Sequence, residues 1–485
     1  MTAGLAGDTA VALHPAFTVP SIGEILYFLI HLYDGLPIWA IPIFWAALVC
    51  ILGSFVSLIV LIIRAALIRR ELRDVDRQPR EKSGEDDFLW VFMVPALNEE
   101  ITITDSVSRL LEVEVTHKRI LVINDGSSDK TGEILAGLAA PELTVLTRVP
   151  PNARQGKSEA LNDAWRYLHA RILGSGVYAG WDPARVIVTI VDADGRLDPE
   201  AWRVAAHFAD PLVGGVQSQV RIYNRHGFIT WAQDLEFGVF GSVFQLGRVA
   251  WGTANMGGNG QFNRLAALDS VAEEDTAGNR GPWLAGRLTE DQDIGLRLIH
   301  AGWRGAQSTV VTINQQGLHS LRALYRQRTR WSQGAWQVLD RIWPSMRNPQ
   351  LGFVAKVDQL WYLLTPIVQA IVGLSVVLSV IFLAFGLYRP HWSIFIIVLF
   401  YVFSAGPGIA GVFFTRRRPG LVPFLMNLLL AHLYLFYSWL IYPVVYRALL
   451  RQLIGRNSWA KTKREAIAPA PGPAPGPLTP GTETA

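Results

Sequence analysis

Three short motifs in this 485-residue chain combine side chains that can act on a phosphorylated substrate, and the first is Asp192-Ala193-Asp194. Its two carboxylates follow an apolar run, and paired carboxylates hold hard divalent cations that also bind phosphate oxygens. The pattern alone is weak evidence, because acidic pairs are common and also cap turns. Its place at the end of an apolar strand makes it a candidate metal site.

The second motif, Thr289-Glu290-Asp291, opens a segment over 289–298 whose apolar residues predict a helix. A purely structural reading makes Thr289 the N-cap, with acids favoured in the first turn. That reading is compatible with a functional one. A helix start can hold a carboxylate towards a cleft, where it can accept a proton.

The third motif, Gln327-Arg328-Thr329-Arg330-Trp331, joins fixed cations to an aromatic face. Arginine neutralises a departing diphosphate through bidentate hydrogen bonds, and tryptophan stacks on the apolar face of a sugar ring. Taken alone, the motif fits a basic, aromatic helix at a membrane surface better than a catalytic element.

A fourth pattern, Gln155-Gly156-Lys157-Ser158, resembles the end of a phosphate-binding P-loop. The first glycine of that loop would stand at position 151, which is Pro151, and no strand leads into it with glycine-rich spacing. We therefore reject the interpretation of this segment as the P-loop of an ATPase.

The elements that must position these motifs are short apolar runs that predict buried parallel strands, alternating with helical stretches over 130–138 and 158–173. The runs are Phe88–Ala96, Arg119–Asp125, Arg185–Asp192 and Val213–Ile222. Polar residues stand at or just after the carboxyl ends of the first three runs, at 98–99, 125–129 and 192–194. The carboxyl ends of parallel strands meet at one sheet edge, so these groups should converge there in a nucleotide-binding α/β domain.

Membrane segments flank this domain. Half of the residues are hydrophobic and only 17% are charged, below the usual quarter. Stretches without charge that are long enough to span a bilayer are Leu36–Ile63, Leu360–Tyr388, Trp392–Thr415 and Leu421–Tyr446. Ser404–Gly408 interrupts the third, which predicts a kinked, re-entrant or merely distorted helix. Ile25–Tyr33 is too short to span and predicts an interfacial helix.

Basic residues between Arg64 and Lys82 place the following segment in the cytoplasm by the positive-inside rule. Two later basic groups, Arg416–Arg418 and a group beginning at Arg447, are both predicted to be cytoplasmic by the same rule. They conflict, because a single span lies between them and would place them on opposite sides of the membrane. Either one segment does not cross or the tail is an exception. The N-terminus lacks the features of a cleaved signal peptide.

Four regions result: an N-terminal membrane region over 1–87, a cytoplasmic domain over 88–350, a C-terminal membrane region over 351–447, and a basic segment with a disordered tail over 448–485. The net charge of +4 is small and lies beside apolar runs, so we expect no nucleic-acid partner. Cys50 is the only cysteine, which excludes an intrachain disulfide and a cysteine-based zinc site.

The motifs VPALNEE, DGSSD, RQGKSEALN, DAD, TED and QRTRW occur in this order over roughly 88 to 345, and the chain resembles the family 2 glycosyltransferases. It resembles in particular their membrane-integrated processive branch, which contains cellulose, chitin, hyaluronan and poly-N-acetylglucosamine synthases. The resemblance implies a GT-A-type domain. The gating motif of bacterial cellulose synthases and a cyclic-dinucleotide-binding domain are absent from the sequence, so we do not expect regulation by cyclic di-GMP within this chain.

The resemblance also implies roles for individual residues. The donor-binding set would be Asn98, Glu99, Asp125, Lys157, Asp192, Asp194, Gln327 and Arg330. Asp125 would contact the uracil, and Asp194 would ligate Mg²⁺ or Mn²⁺. Asp291, with Glu290 beside it, would be the general base, and Trp331 would form the acceptor platform. Gly260, within Gly257–Arg264, would contribute to the acceptor side.

The implied reaction is a single inverting displacement that moves a sugar from a UDP-sugar to a growing β-linked polysaccharide, with export of the polymer through the bilayer. We expect an integral protein of the bacterial plasma membrane. An alternative is a non-processive transferase acting on a lipid or small acceptor. A third possibility, an inactive transport or scaffold subunit, is disfavoured by the intact Asp194, Asp291 and Arg330.

Overall fold

The computed structural model describes Gly23 and residues 31–75, 77–387, 394–415 and 420–456. Its central domain is built on an eight-stranded sheet in the order β3-β2-β1-β4-β7-β6-β10-β5, and β8 and β9 form a separate hairpin. The strands are β1 (Leu89–Ala96), β2 (His117–Asn124), β3 (Leu143–Thr147), β4 (Val186–Ile190), β5 (Arg196–Leu197), β6 (Val213–Ile222), β7 (Gln261–Arg264), β8 (Glu273–Glu274), β9 (Arg280–Gly281) and β10 (Arg304–Gln315).

The sheet is mostly parallel. β1 pairs in parallel with β2 and β4, β2 with β3, and β6 with β10. β7 lies antiparallel between β4 and β6, and the two-residue β5 is antiparallel to β10. The sequence did not predict β7, because Gln261–Arg264 contains a single apolar residue, Phe262, and so shows no apolar run.

Helices surround the sheet, and apolar helices that could span a membrane precede and follow it. The α-helices are α1 (Ile41–Val75), α2 (Ile103–Leu111), α3 (Thr131–Gly137), α4 (Lys157–Tyr167), α5 (Phe228–Val239), α6 (Leu246–Val249), α7 (Leu265–Ser270), α8 (Glu290–His300), α9 (Leu321–Gln337), α10 (Ile342–Arg347), α11 (Phe353–Leu363), α12 (Thr365–Ala384), α13 (Ile394–Phe414), α14 (Leu421–Ser438) and α15 (Ile441–Leu453). Short 3₁₀ segments cover Arg80–Lys82, Glu85–Asp87, Pro183–Arg185, Ala201–Ala209 and Val338–Arg341, and π-helical turns cover Leu168–Ile172 and Phe240–Gln245.

The core lies on both faces of the sheet, because successive side chains of a strand point to opposite sides. In β1, Trp90 and Phe92 pack on one face with α2, whereas Val91 and Met93 pack on the other with α4 and α8. All four are fully buried. The predicted α/β class, with helices on both faces of a mostly parallel sheet, is therefore confirmed.

The predicted strands agree closely with the structure. Val213–Ile222 has the predicted bounds, and β1 begins one residue after the predicted start. β4 ends at Ile190, two residues before the predicted end, so Asp192-Ala193-Asp194 follows the strand. The predicted helix over 158–173 ends as an α-helix at Tyr167 and continues as a π-helical turn.

Among the residues that the structure describes, three helices are long and apolar enough to cross a membrane: Ile41–Val75, Thr365–Ala384 and Leu421–Leu453, the last including a turn between α14 and α15. α1 begins at Ile41 and continues twelve residues past the predicted end at Ile63, into the basic segment. Near the start of the predicted span from Leu360, α11 ends at Leu363 and a new helix begins at Thr365.

α13 is helical through the predicted interruption, with Pro407 inside it. A proline removes one backbone donor, and this helix continues despite that loss. The predicted span over 421–446 is divided by the turn at Trp439–Leu440. α15 then packs on α9, where Trp336 Nε1 donates to the Val445 carbonyl at 3.3 Å and Arg451 Nε donates to Gln333 Oε1 at 3.0 Å. Arg451, in the last turn of α15, therefore lies against the central domain.

Most of the predicted interfacial helix Ile25–Tyr33, the basic loop Arg416–Arg418 and the tail over 466–485 lie outside the described residues.

Candidate active site

A cavity of about 740 Å³ opens at the carboxyl ends of β1, β2 and β4. Motifs that are far apart in the sequence meet in its walls, as the parallel topology predicts. The predicted site residues that line it are Glu99, Asp125, Lys157, Asp192, Asp194, Glu290, Asp291, Gln327, Arg330 and Trp331. Asn98 and Gly260 are not among the lining residues.

Near the carboxyl ends of β1 and β2, the buried carboxylate of Asp125 accepts hydrogen bonds from two arginines. Its Oδ1 accepts hydrogen bonds from Arg148 Nη1 at 2.5 Å and from the Arg154 backbone N–H at 2.9 Å. Neither arginine was predicted as a site residue, although Arg154 is the first residue of the motif RQGKSEALN. Gly126 has φ +72°, and an added Cβ would lie 2.8 Å from Ala153 Cβ, so the loop after β2 is closely packed.

Asn98 and Glu99 hold this loop together. Asn98 adopts φ 54°, and its Oδ1 accepts from the Ser128 N–H at 2.7 Å. The Glu99 N–H donates to Thr131 Oγ1 at 2.7 Å, and Thr102 Oγ1 donates to Glu99 Oε2 at 3.0 Å. Asn98 therefore shapes the loop from outside the cavity lining, whereas Glu99 is buried and lines it.

Lys157 bridges two acidic groups from different elements. Its Nζ lies 2.8 Å from Asp192 Oδ1 and 3.0 Å from Glu290 Oε1. Burial alone would lower the pKa of this ammonium, but the carboxylates of Asp192 and Glu290 outweigh that effect and raise the pKa above its usual value. The first residue of α4 is thus a permanent cation inside the cavity.

Asp192 and Asp194 form the candidate cation site. The Asp192 N–H donates to Asn259 Oδ1 at 3.0 Å, and Asp194 Oδ2 accepts from the Gln316 N–H at 3.2 Å. No group of three or more metal-binding side chains occurs among the described residues. Two carboxylates that line one cavity fit Mg²⁺-type ions, which take one or two protein carboxylates and complete their shell with phosphate oxygens and water.

Asp291 lies in the first turn of α8, where its Oδ1 accepts from the Gln292 N–H at 2.8 Å. Burial and the adjacent Glu290 carboxylate raise the pKa of Asp291 to about 7, against the opposing charge of Lys157. A carboxylate with a pKa near neutrality is well matched to accepting a proton from a hydroxyl. Gly258, with φ +84°, packs against it, since an added Cβ would lie 2.7 Å from Asp291 Oδ2.

The third motif occupies α9, and Gln327, Arg330 and Trp331 face the cavity from one side of that helix. Two neighbours contact the Trp331 ring: the Arg328 guanidinium lies 4.2 Å from its centroid, and the Phe237 ring contacts it edge-on at 6.0 Å. Arg328 therefore supports the aromatic platform and does not line the cavity.

The placement of Gly260 departs from the prediction of an acceptor-side contact. It is buried at the start of β7, where an added Cβ would meet the Ser218 hydroxyl and Ile313. Its N–H donates to the Ile190 carbonyl at 2.9 Å, which ties it to the sheet. The neighbouring residues Gly257 and Gly258 line the cavity instead.

Tyr362 is a cavity residue that the sequence did not identify, because it reads as an interfacial aromatic beside a membrane span. Its hydroxyl oxygen accepts from Gln292 Nε2 at 3.1 Å and from Asn255 Nδ2 at 3.3 Å. The Arg248 guanidinium lies 4.7 Å from its ring centroid. The C-terminal helices thus contribute to the wall near Asp291.

A family model described as Glycosyltransferase like family 2 matches residues 90–334. A β-monoglucosyldiacylglycerol synthase from Synechocystis is 29% identical over 278 residues, which cover 56% of this chain and 53% of that protein. A poly-β-1,6-N-acetyl-D-glucosamine synthase from Staphylococcus aureus is 26% identical over 253 residues, which cover 52% of this chain and 55% of the other. The chain therefore spans about half the length of both curated relatives. A solved mannosyltransferase from Pyrobaculum calidifontis, in complex with GDP-Man and Mn²⁺, aligns with 85% of this chain and 99% of its own at 16% identity and a TM-score of 0.49.

Proposed function

The chain belongs to glycosyltransferase family 2, and we propose that it transfers a sugar from a UDP-sugar to a hydroxyl of a growing β-linked polysaccharide, with inversion at the anomeric carbon. The observation that carries the proposal is the meeting of Asp125, Lys157, Arg330 and Asp291 in one cavity of about 740 Å³. Cations for a diphosphate and a proton acceptor for a hydroxyl occur there side by side.

In the proposed reaction, Asp291 accepts the proton of the acceptor hydroxyl while that oxygen attacks the anomeric carbon. The bond between this carbon and the diphosphate oxygen breaks, and UDP leaves with the bonding electron pair. Lys157 and Arg330 neutralise the charge that develops on the diphosphate. One displacement inverts the configuration, so an α-linked donor yields a β-linked product.

Asp192 and Asp194 would hold Mg²⁺ or Mn²⁺, which when bound adds positive charge beside the leaving diphosphate. Asp125 and Glu99 line the same cavity, where they would border the uridine. The ion pair between Lys157 and Asp192 keeps the lysine beside this proposed cation and diphosphate region.

The polysaccharide acceptor is supported by Trp331, whose ring presents a stacking surface for a sugar in the same cavity as Asp291. The proposal places the catalytic domain at the cytoplasmic face of a bacterial plasma membrane, with the polymer leaving through the adjacent helices. A lipid acceptor is the second candidate, and the similarity to a β-monoglucosyldiacylglycerol synthase favours it.

A donor screen with the purified full chain in detergent micelles tests the proposal. Released UDP would be measured with UDP-glucose and UDP-N-acetylglucosamine, in the presence of Mg²⁺ or Mn²⁺. Products would be sized by mass spectrometry, with dioleoylglycerol and a β-linked oligosaccharide offered as separate acceptors. A ladder of lengthened saccharides supports polymer synthesis, a single glycosylated lipid supports the second candidate, and no acceptor-stimulated release of UDP would contradict both.

A further inference from the structure

The cavity wall contains a carboxylate that the proposed displacement does not use. Glu236, in α5, lines the cavity, and its side chain is 36% exposed. Its Oε2 accepts hydrogen bonds from Arg328 Nη2 and from the Tyr437 hydroxyl, each at 2.6 Å. Within the described part of the chain, no hydrogen bond reaches Oε1. The carboxylate is thus held through Oε2, and Oε1 can accept a hydrogen bond from a ligand in the cavity.

Arg328 connects this carboxylate to the acceptor platform. Its side chain is only 8% exposed and lies between two aromatic rings, 4.2 Å from the Trp331 centroid and 5.5 Å from that of Phe237. A buried guanidinium requires a counter-charge, and Glu236 supplies it. The position of Glu236 is therefore coupled to the orientation of the Trp331 ring.

Tyr437 fixes the same carboxylate from the membrane region. It lies in the last turn of α14, and its ring stacks on Tyr434 at 5.4 Å. Three elements, α5, α9 and α14, thus meet at Glu236 Oε2. A carboxylate held by two donors on one oxygen is preorganised to accept a further hydrogen bond on the other.

We propose that Glu236 positions the acceptor, with Oε1 accepting a hydrogen bond from a second, non-reacting hydroxyl of a sugar stacked on Trp331. The inference rests on the proposed function and narrows its acceptor class. A carboxylate requires a donor, and the reacting hydroxyl gives its proton to Asp291. A saccharide has further hydroxyls to offer, whereas diacylglycerol has a single free hydroxyl. Glu236 therefore favours a saccharide acceptor over diacylglycerol.

The test compares Glu236→Gln and Tyr437→Phe with Tyr434→Phe, a matched loss of a hydroxyl from the same helix. Tyr434 makes no hydrogen bond to Glu236 in the structure, so its variant should behave as the wild type. The KM for a β-linked oligosaccharide and the KM for the UDP-sugar would be measured for each full-length protein. Thermal unfolding of each variant would verify that the fold is retained.

We expect Glu236→Gln to raise the oligosaccharide KM on the order of tenfold or more, and Tyr437→Phe to raise it about threefold to tenfold, as expected for charged and neutral hydrogen bonds. The UDP-sugar KM should change by less than about twofold. Because both substitutions act on one carboxylate, the double variant should lose less than the product of the two single effects.

An unchanged oligosaccharide KM in a folded Glu236→Gln protein would overturn the inference, as would an equal rise in the KM for the UDP-sugar. Efficient transfer to dioleoylglycerol, with none to the oligosaccharide, would also overturn it. Failure of the proposed function looks different, because the wild type itself would then release no UDP in response to any acceptor.

Discussion

Lys157 Nζ contacts Asp192 Oδ1 at 2.8 Å, which joins the start of α4 to the loop after β4. The same nitrogen lies 3.0 Å from Glu290 Oε1, at the start of α8. One ammonium thus links the carboxylates expected at the diphosphate to the segment that carries the proposed base. Its charge also helps to set the pKa of Asp291.

Asp291→Asn should abolish transfer, because an amide cannot accept the proton of the acceptor hydroxyl. We expect kcat to fall by at least about a hundredfold, the usual contribution of a general base. Glu274→Gln, an exposed acid in the β8–β9 hairpin, is the matched control. UDP release and product formation would be measured together, and a native rate in the Asn protein would contradict the proposed mechanism.

The rate should depend on pH through Asp291, whose pKa is raised to about 7 by burial and by Glu290. The base must be deprotonated, so below this pH kcat should fall about tenfold per pH unit. Glu290→Gln removes a charge that raises the pKa and should move the midpoint to lower pH. Lys157→Gln removes a charge that lowers it and should move the midpoint to higher pH. Shifts in the same direction in both pH–rate profiles would refute this electrostatic account.

Arg330→Ala should weaken the handling of the diphosphate, raising the UDP-sugar KM and lowering kcat together by a combined factor of about a hundred. Trp331→Ala should act mainly on the KM of the acceptor, because it removes the stacking surface. Arg326→Ala is the control, since this arginine is exposed and lies one turn earlier on α9. Steady-state kinetics with each substrate varied separate the two effects, and equal losses in the Arg326 variant would contradict a specific role for Arg330.

Chelation should remove activity, and added Mg²⁺ or Mn²⁺ should restore it, if Asp192 and Asp194 hold a cation with the donor phosphates. Asp194→Asn should raise the metal concentration needed for half-maximal activity by roughly tenfold or more. Asp198→Asn is the control, because Asp198 lies nearby in sequence but does not line the cavity. Full activity in excess EDTA would exclude this cation role.

The interface between the central domain and the C-terminal helices contains a buried ion pair. Arg248 Nε lies 2.7 Å from Asp358 Oδ2, and both side chains are about 95% buried. Asp358→Leu leaves the guanidinium without a counter-charge and should destabilise the protein by about 3–5 kcal/mol. The double variant Arg248→Met/Asp358→Leu should recover most of the loss. Thermal unfolding in detergent would rank the three proteins, and a double variant less stable than Asp358→Leu would contradict this explanation.

The strands and the main motifs were accessible from sequence because their signals are local. An apolar run such as Val213–Ile222 is long enough to define a buried strand, and its bounds in the structure are those predicted. The gathering of Asp125, Asp192 and Glu99 follows from parallel topology alone. The membrane helices were less well predicted, because hydropathy does not report turns such as Trp439–Leu440 within a continuous apolar stretch.

Gly260 does not line the cavity, in contrast to Gly257 and Gly258. The glycines of Gly257-Gly258-Asn259-Gly260 look alike in the sequence. Only packing distinguishes Gly258, which lies against Asp291, from Gly260, which lies against Ser218. Arg328 was treated as part of a motif, yet its partners lie about 90 residues upstream and 110 residues downstream, at Glu236 and Tyr437.

The class of fold, the family resemblance and many of the charged groups of the cavity could be read from the chain alone, because each depends on residue type and short-range periodicity; Tyr362 and Glu236 could not. Three features required the folded structure: Lys157 joins Asp192 to Glu290, Glu290 and burial raise the pKa of Asp291, and Glu236 lies in the cavity wall between α9 and α14. These features depend on distances between side chains from separate elements. Such distances arise when the apolar faces of the helices and the sheet pack together, and no local pattern in the chain encodes them.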